Sequence, residues 1–155
     1  KPYKKTIRIY DEISKPWNIF YPPTLIGKRI FLGSCVQASD EHFLEYQGVT
    51  HIVNVSSEIP NFYSHQYQYY NLKIQDNGQD SFKKEMLESV FFFINKTLMN
   101  KNNKILIHCY SGRSRSVTVL TYYLHQKLIH LLLFHLFELE VDQGYQMFQN
   151  NLMNH

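Results

Sequence analysis

Cysteine is scarce in this 155-residue chain, which carries only Cys35 and Cys109. Two thiols cannot build the multi-bridge framework of a small secreted domain, and they fit a reducing, intracellular setting (cytoplasm or nucleus) better. Charge is also sparse: 16 basic and 13 acidic side chains leave a formal excess of +3. That excess suits an anionic substrate and is too small to point to nucleic acid by itself. Long apolar runs are missing, since none reaches the ~18 residues of a membrane-spanning helix. The longest, Leu128 to Phe137, is broken by His130 and His135 and reads as a buried helix. There is no internal repeat, low-complexity tract, signal-peptide pattern or lipidation motif. The chain begins at Lys1 without a methionine and so reads as an excised piece of a longer protein.

What remains is a globular balance, 44% hydrophobic and 19% charged, at a length typical of one hydrophobic core. Proline punctuates the beginning at Pro2, Pro16, Pro22 and Pro23, so residues 1–24 read as a basic lead-in with a short strand at Thr6–Tyr10. A single domain follows over 25–155. Within it strands and helices alternate. Arg29–Leu32 reads as a strand closed by Gly33, and Ala38–Gln47 as a helix with Ser39 or Asp40 near its start and Gly48 past its end. His51–Val55 and Tyr69–Ile74 read as further strands. After the Asp76-Asn77-Gly78 turn, Asp80 or Ser81 is placed to cap a long helix. In that helix Met86, Leu87, Val90, Phe91, Ile94 and Leu98 recur at helical spacing and predict a core-facing stripe. Asn102-Asn103 ends it, Lys104–His108 is a continuous apolar strand, and a helix is expected from Arg115 to about Lys127. This order predicts an α/β fold, a mostly parallel central sheet flanked by helices.

One segment carries chemistry: His108-Cys109-Tyr110-Ser111-Gly112-Arg113-Ser114-Arg115-Ser116. A buried strand delivers a cysteine into a short glycine-containing loop that runs into a helix N-terminus. Successive backbone N–H groups of such a loop converge on an anion, and the helix end adds partial positive charge. Gly112 lets the backbone take a conformation other residues resist. Arg115 offers a planar fork suited to two phosphate oxygens. The same positive surroundings favour the Cys109 thiolate, so a phosphate cradle and its nucleophile share one loop.

The run His108-Cys109 to Arg115-Ser116 resembles the signature of cysteine-dependent protein phosphatases, and the flanks resemble the dual-specificity subfamily. The supporting stretches are Arg-Ile-Phe-Leu-Gly-Ser at 29–34, Ala-Ser-Asp at 38–40, Gly-Val-Thr-His-Ile-Val-Asn-Val at 48–55 and Gly144-Tyr145-Gln146-Met147-Phe148, the last similar to the family's closing helix. The resemblance covers roughly residues 25–150. It implies the cysteine-phosphatase fold, with the phosphate loop between a strand and a helix. It also implies hydrolysis of phosphotyrosine and phosphoserine/phosphothreonine in a phosphorylated protein substrate, through a cysteinyl-phosphate intermediate and without metal or cofactor.

Residue by residue, the resemblance implies Cys109 as nucleophile, with Tyr110, Ser111, Gly112, Arg113, Ser114 and Arg115 as the substrate-binding loop. Asp76, 33 positions before Cys109, stands where the family has its general acid; Asp80 is the rival and is better explained as a cap. Ser116 matches the hydroxyl that assists the departing thiolate, and His108 the residue that helps set the loop. Between Arg115 and Gly144 the chain is several residues shorter than the family pattern, and the Arg-Pro and Pro-Asn elements are absent. This departure bears on the packing of the closing helix, with a rearranged or swapped C-terminal segment as one alternative, and not on the active loop, since every catalytic position precedes it.

Competing readings attach to several of these residues. Arg113 reads as a solvated loop charge, with a role in substrate preference as the alternative. Cys35 reads as an inert buried thiol, with a disulfide to Cys109 as the alternative. Asn54 and Asn95 begin Asn-X-Ser/Thr sequences but fall in strand-like and helix-like runs, which argues against glycan acceptors. His125, His130 and His135 are five apart and rotate around a helix, so no metal site is expected. The same chemistry on an RNA 5′-triphosphate or a phosphoinositide is the runner-up. A binding-only phosphoprotein domain is the rival of another class, although such domains typically lose the cysteine, the arginine or the acid. No nucleic acid or membrane partner is expected, and nothing fixes the oligomeric state.

Overall fold

The computed structural model describes residues 22–77 and 81–153, with side chains through Glu138. The expected strand at Thr6–Tyr10 and the capping role of Asp80 lie outside these residues. Five strands, β1 (Thr24–Ile26), β2 (Ile30–Gly33), β3 (His51–Asn54), β4 (Gln68–Asn71) and β5 (Ile105–His108), form one sheet in the order β1-β2-β5-β3-β4. Strands β2, β5, β3 and β4 run parallel, and β1 pairs antiparallel with β2 at the edge. The parallel α/β expectation therefore holds, with β1 an additional edge strand that the sequence reading missed.

Burial follows from the strand sequences. Every residue of the central β5 is buried, as its unbroken apolar run requires when helices cover both faces. Ile52, Val53, Ile105, Leu106 and Ile107 have essentially no exposed surface, and Phe31, Leu44 and Ala38 pack with Ile52 and Leu106. The expected single helix over 38–47 is two: α1 (Cys35–Ser39) and α2 (Glu41–Gln47). Ser34 and Gln37 form a capping box at the start of α1, while Asp40 leaves helical geometry to cap α2, accepting from the Phe43 N–H at 3.0 Å. Gly48 ends α2 in the left-handed region, with φ 68°.

The long helix α3 spans Lys84–Met99, and its stripe of Val90, Phe91 and Ile94 is buried as expected. Its start is a correction. Lys83 occupies the cap without a side-chain hydrogen bond, and Ser81 lies outside the helix, so packing of the apolar stripe sets the boundary. Helix α4 begins at Arg115, as expected, and Val119 and Leu120 bury its first turns. These elements belong to a first compact unit that ends at Thr121.

A second unit, from Tyr122 onward, continues α4 to Met153 instead of stopping near Lys127. No glycine or proline intervenes between Arg115 and Gln143 to end it. The expectation of a buried helix over Leu128–Phe137 fails: Leu128, Leu131, Leu132, Leu133, Phe134, Leu136 and Phe137 are each more than half exposed. They lie on every side of the helix, so no single packed stripe can cover them. Even so, no helix among the described residues is long and apolar enough to cross a membrane.

Candidate active site

The parallel strands end along one edge of the sheet, and the register places Gly33, Asn54 and His108 side by side there. The loops after β2, β3 and β5 consequently gather at the C-terminal ends of the strands, where open parallel sheets place their ligands. Beyond His108 the chain turns through Cys109–Ser114 and enters α4 at Arg115.

Gly112 sets the shape of this turn. Its φ is 74°, and a Cβ there would lie 2.7 Å from the Gly33 carbonyl oxygen. Only glycine can take that conformation and nest the loop against the end of β2. Cys35 fastens the same place: its backbone N–H and its thiol both donate to the Tyr110 carbonyl, at 3.1 and 3.0 Å. Burial pushes the Cys35 thiol up to about 12, and both cysteines are free. An inert thiol that braces the loop is the reading this geometry favours over a disulfide.

Cys109 Sγ is buried inside the turn. The Gly112 N–H donates to it at 3.3 Å, and Ser116 Oγ lies 3.3 Å away. Burial alone would raise this thiol. Hydrogen bonds from the Ser116 hydroxyl and from the backbone N–H groups of Ser116 and Gly112, together with the Arg115 charge, outweigh it and hold Cys109 below its ordinary value. Tyr110 and Gly112 are half-buried, whereas Ser111, Arg113 and Ser114 form the exposed rim. His108 is fully buried with Nδ1 3.4 Å from the Cys109 carbonyl, and Nε2 has no partner among the described residues. Burial first, and the Arg115 charge as well, lower its pKa to about 4, so the ring is neutral near pH 7.

Arg115 departs from the expected free fork. Nη1 donates to Glu58 Oε2 at 2.9 Å and to the Ile74 carbonyl at 2.8 Å, and Nη2 donates to Glu58 Oε1 at 2.5 Å. Asp76 Oδ2 stands 3.3 Å from Nη2, on the loop after β4, with its side chain 66% exposed. The terminal fork is thus engaged, and Nε is the buried donor left without a partner among the described residues. The structure brings Asp76, Arg115, Ser116 and Cys109 to one place over 41 residues of sequence.

Two residues escaped the sequence reading. Glu58 pairs with Arg115 across 57 positions, and Asn54 builds the loop that holds it. Asn54, weighed earlier only as a sequon, is 1% exposed and engaged through both ends of its amide. Their signal was positional: both lie at or just past the C-terminal end of the strand beside β5. Among the described residues, no three His, Cys, Asp or Glu side chains gather as a metal site.

Comparison with known proteins agrees with this geometry. The family described as "Dual specificity phosphatase, catalytic domain" matches residues 30–130. Human dual specificity protein phosphatase 2 is 33% identical over 104 residues, covering 67% of this chain and 32% of that protein. Protein phosphatase Slingshot of Drosophila melanogaster is 35% identical over 101 residues, covering 65% of this chain and 10% of that protein. The chain therefore spans about a third or less of these curated relatives. The crystal structure of human DUSP28 superposes with a TM-score of 0.59 at 27% identity, covering 68% of this chain and 70% of that one. With the matched region embracing strands β2 to β5, the Cys109 loop and the start of α4, this chain belongs to the dual-specificity phosphatase family.

Proposed function

We propose that this chain hydrolyses phosphate monoesters on tyrosine, serine and threonine side chains of proteins, through a cysteinyl-phosphate intermediate and without metal or cofactor. One observation carries the reading. A buried thiol with a lowered pKa sits inside a glycine-shaped turn at a helix N-terminus, with a buried arginine opening that helix. The family membership supports it. We assign the catalytic domain to residues 25–155, with 1–24 as a lead-in. The need for a reduced Cys109 fits an intracellular setting.

In this mechanism the backbone N–H groups of Tyr110 to Arg115 and the free Nε–H of Arg115 receive the phosphate oxygens. The Cys109 thiolate attacks phosphorus: an S–P bond forms, the ester P–O bond breaks, and Asp76 gives its proton to the departing oxygen. Water then attacks as Asp76 takes its proton. An O–P bond forms, the S–P bond breaks, and inorganic phosphate leaves. The Ser116 hydroxyl, already 3.3 Å from Cys109 Sγ, donates to the thiolate as it is released. His108, neutral beneath the loop, supports the backbone at Cys109. A phosphomonoester suits this site better than a polyphosphate, because the buried Arg115 already faces two carboxylates, Glu58 and Asp76.

The test is hydrolysis of an aryl phosphate and of phosphopeptides, with chelator present, by the parent, Cys109→Ser and Asp76→Asn. Turnover by the parent that vanishes with Cys109→Ser and falls steeply with Asp76→Asn is the expected result. A folded, reduced parent without turnover would exclude the reading.

A further inference from the structure

We propose that Glu58 is a positioning residue: by occupying the Nη1/Nη2 edge of Arg115 it fixes the guanidinium plane and reserves the Nε–H for the substrate phosphate. This deepens the phosphatase reading above and rests on it.

The geometry is that of a two-bond, edge-on pair. Both Glu58 oxygens accept from separate terminal nitrogens of Arg115, at 2.9 and 2.5 Å, which fixes orientation as well as distance. The Ile74 carbonyl takes a further bond from Nη1, so the guanidinium has little freedom to turn. What this leaves over is informative. Arg115 Nε is buried and has no partner among the described residues, although a buried donor on a charged group is costly to leave unpaired. Such a donor is explained if an anion fills its valence, and the nearby anion site is the turn around Cys109.

Glu58 is itself held from the sheet. Asn54, the last residue of β3, accepts from the Ser56 N–H at 3.2 Å and the Ser56 hydroxyl at 2.8 Å. Its amide nitrogen donates to the Ile59 carbonyl at 2.8 Å and to Asn61 Oδ1 at 3.1 Å. The Ser57 N–H bonds the Ile74 carbonyl, so the loop after β3 is tied to the one carrying Asp76. The carboxylate therefore stands on a loop closed around a buried asparagine, beside the strand that delivers Cys109. Burial opposes its charge, but the hydrogen bonds and charge of Arg115 outweigh this and keep Glu58 ionised to a lower pH than an ordinary glutamate.

A carboxylate that only compensated the buried Arg115 charge would behave differently from one that aims it. The full chain should be compared with Glu58→Gln, which keeps the shape and loses the charge, and Glu58→Asp, which keeps the charge and loses the reach for both nitrogens. Each is made alone and together with Arg115→Lys. The readings are kcat and KM on an aryl phosphate, inorganic phosphate binding by calorimetry, and the thermal midpoint. We expect both single variants to lose about ten- to a hundredfold in kcat/KM and to bind phosphate more weakly, as befits losing one charge-assisted contact to the bound anion. In the Arg115→Lys background the same changes should cost less than about threefold, the signature of coupled residues.

Equal losses in both backgrounds would overturn the inference. So would Glu58→Asp behaving as the parent, or Glu58→Gln binding phosphate more tightly because a negative charge has gone. A parent without turnover sinks the phosphatase reading alone; phosphate binding then decides on Glu58 by the same comparison. A parent that neither turns over nor binds phosphate overturns both.

Discussion

Lowering the pH should destabilise this fold, and His108 carries a separable part of the effect. The ring is fully buried at the end of the central strand, and its Nε2 has no partner among the described residues to welcome a second proton's charge. Its pKa falls from the ordinary 6.5 to about 4 in the folded chain, chiefly by burial. Between these two values the unfolded chain binds a proton that the folded chain refuses, so stability must fall as pH falls. The stabilisation of the neutral form is complete above pH 6.5 and is exhausted near pH 4. At ~1.4 kcal/mol for each pH unit, the whole window is worth about 3 kcal/mol. That is a large share of the ~5–15 kcal/mol of a typical domain. Urea unfolding of the parent and of His108→Asn at pH 7 and near pH 4 isolates the effect, because Glu58, whose pKa is also lowered, is common to both proteins. The parent should lose about 3 kcal/mol more than the variant across this window. Parallel pH dependences in the two proteins would refute the reasoning.

Three further outcomes follow from the site. Gly112→Ala places a Cβ 2.7 Å from the Gly33 carbonyl oxygen in a left-handed backbone, and should lower stability by about 1–3 kcal/mol in urea titration while disrupting phosphate binding. An unchanged midpoint would show that the loop relaxes freely. Because the Cys109 pKa is lowered and the thiolate is the nucleophile, kcat/KM should rise with pH to a plateau below the ~8.5 of a free thiol. Ser116→Ala removes one of the stabilising hydrogen bonds and should move that limb upward; a fixed limb would contradict the assignment. Asp76→Asn should reduce kcat by roughly 10²–10⁴ on phosphoserine peptides and by less on an aryl phosphate, whose oxygen leaves without a proton.

The central strand of this fold and the loop after it were easier to read in the sequence than its edges. Lys104–His108 and Cys109–Ser116 were legible because a both-faces-buried strand, a glycine turn and a helix start are each encoded locally. The α3 stripe was legible for the same reason, since Val90, Phe91 and Ile94 repeat at the helical period. Strand β1 was not, because Thr24–Ile26 is three residues long, mostly exposed, and gains its partner only by folding back on β2. The break at Asp40 was half visible: its capping chemistry was recognised, but not that α1 would already have formed upstream around Ser34 and Gln37. Ser81 carries a good capping side chain, yet α3 starts at Lys84 with Lys83 in the cap position, because tertiary packing sets its boundary. Glu58 was invisible for a different reason: its meaning lies in an arginine 57 positions away, and only the strand order brings them together. Helix α4 misled because its apolar content reads as core, while its distribution around the axis leaves those side chains exposed.

The most direct measurement of the central claim is acid quenching of the parent during turnover of a phosphopeptide, followed by mass spectrometry of the peptide containing Cys109. The account predicts a phosphate adduct on the Cys109 sulfur, accumulating in Asp76→Asn when an aryl phosphate is used, because phosphorylation then outpaces hydrolysis. Turnover without any adduct at Cys109, or with activity surviving Cys109→Ser, would contradict it.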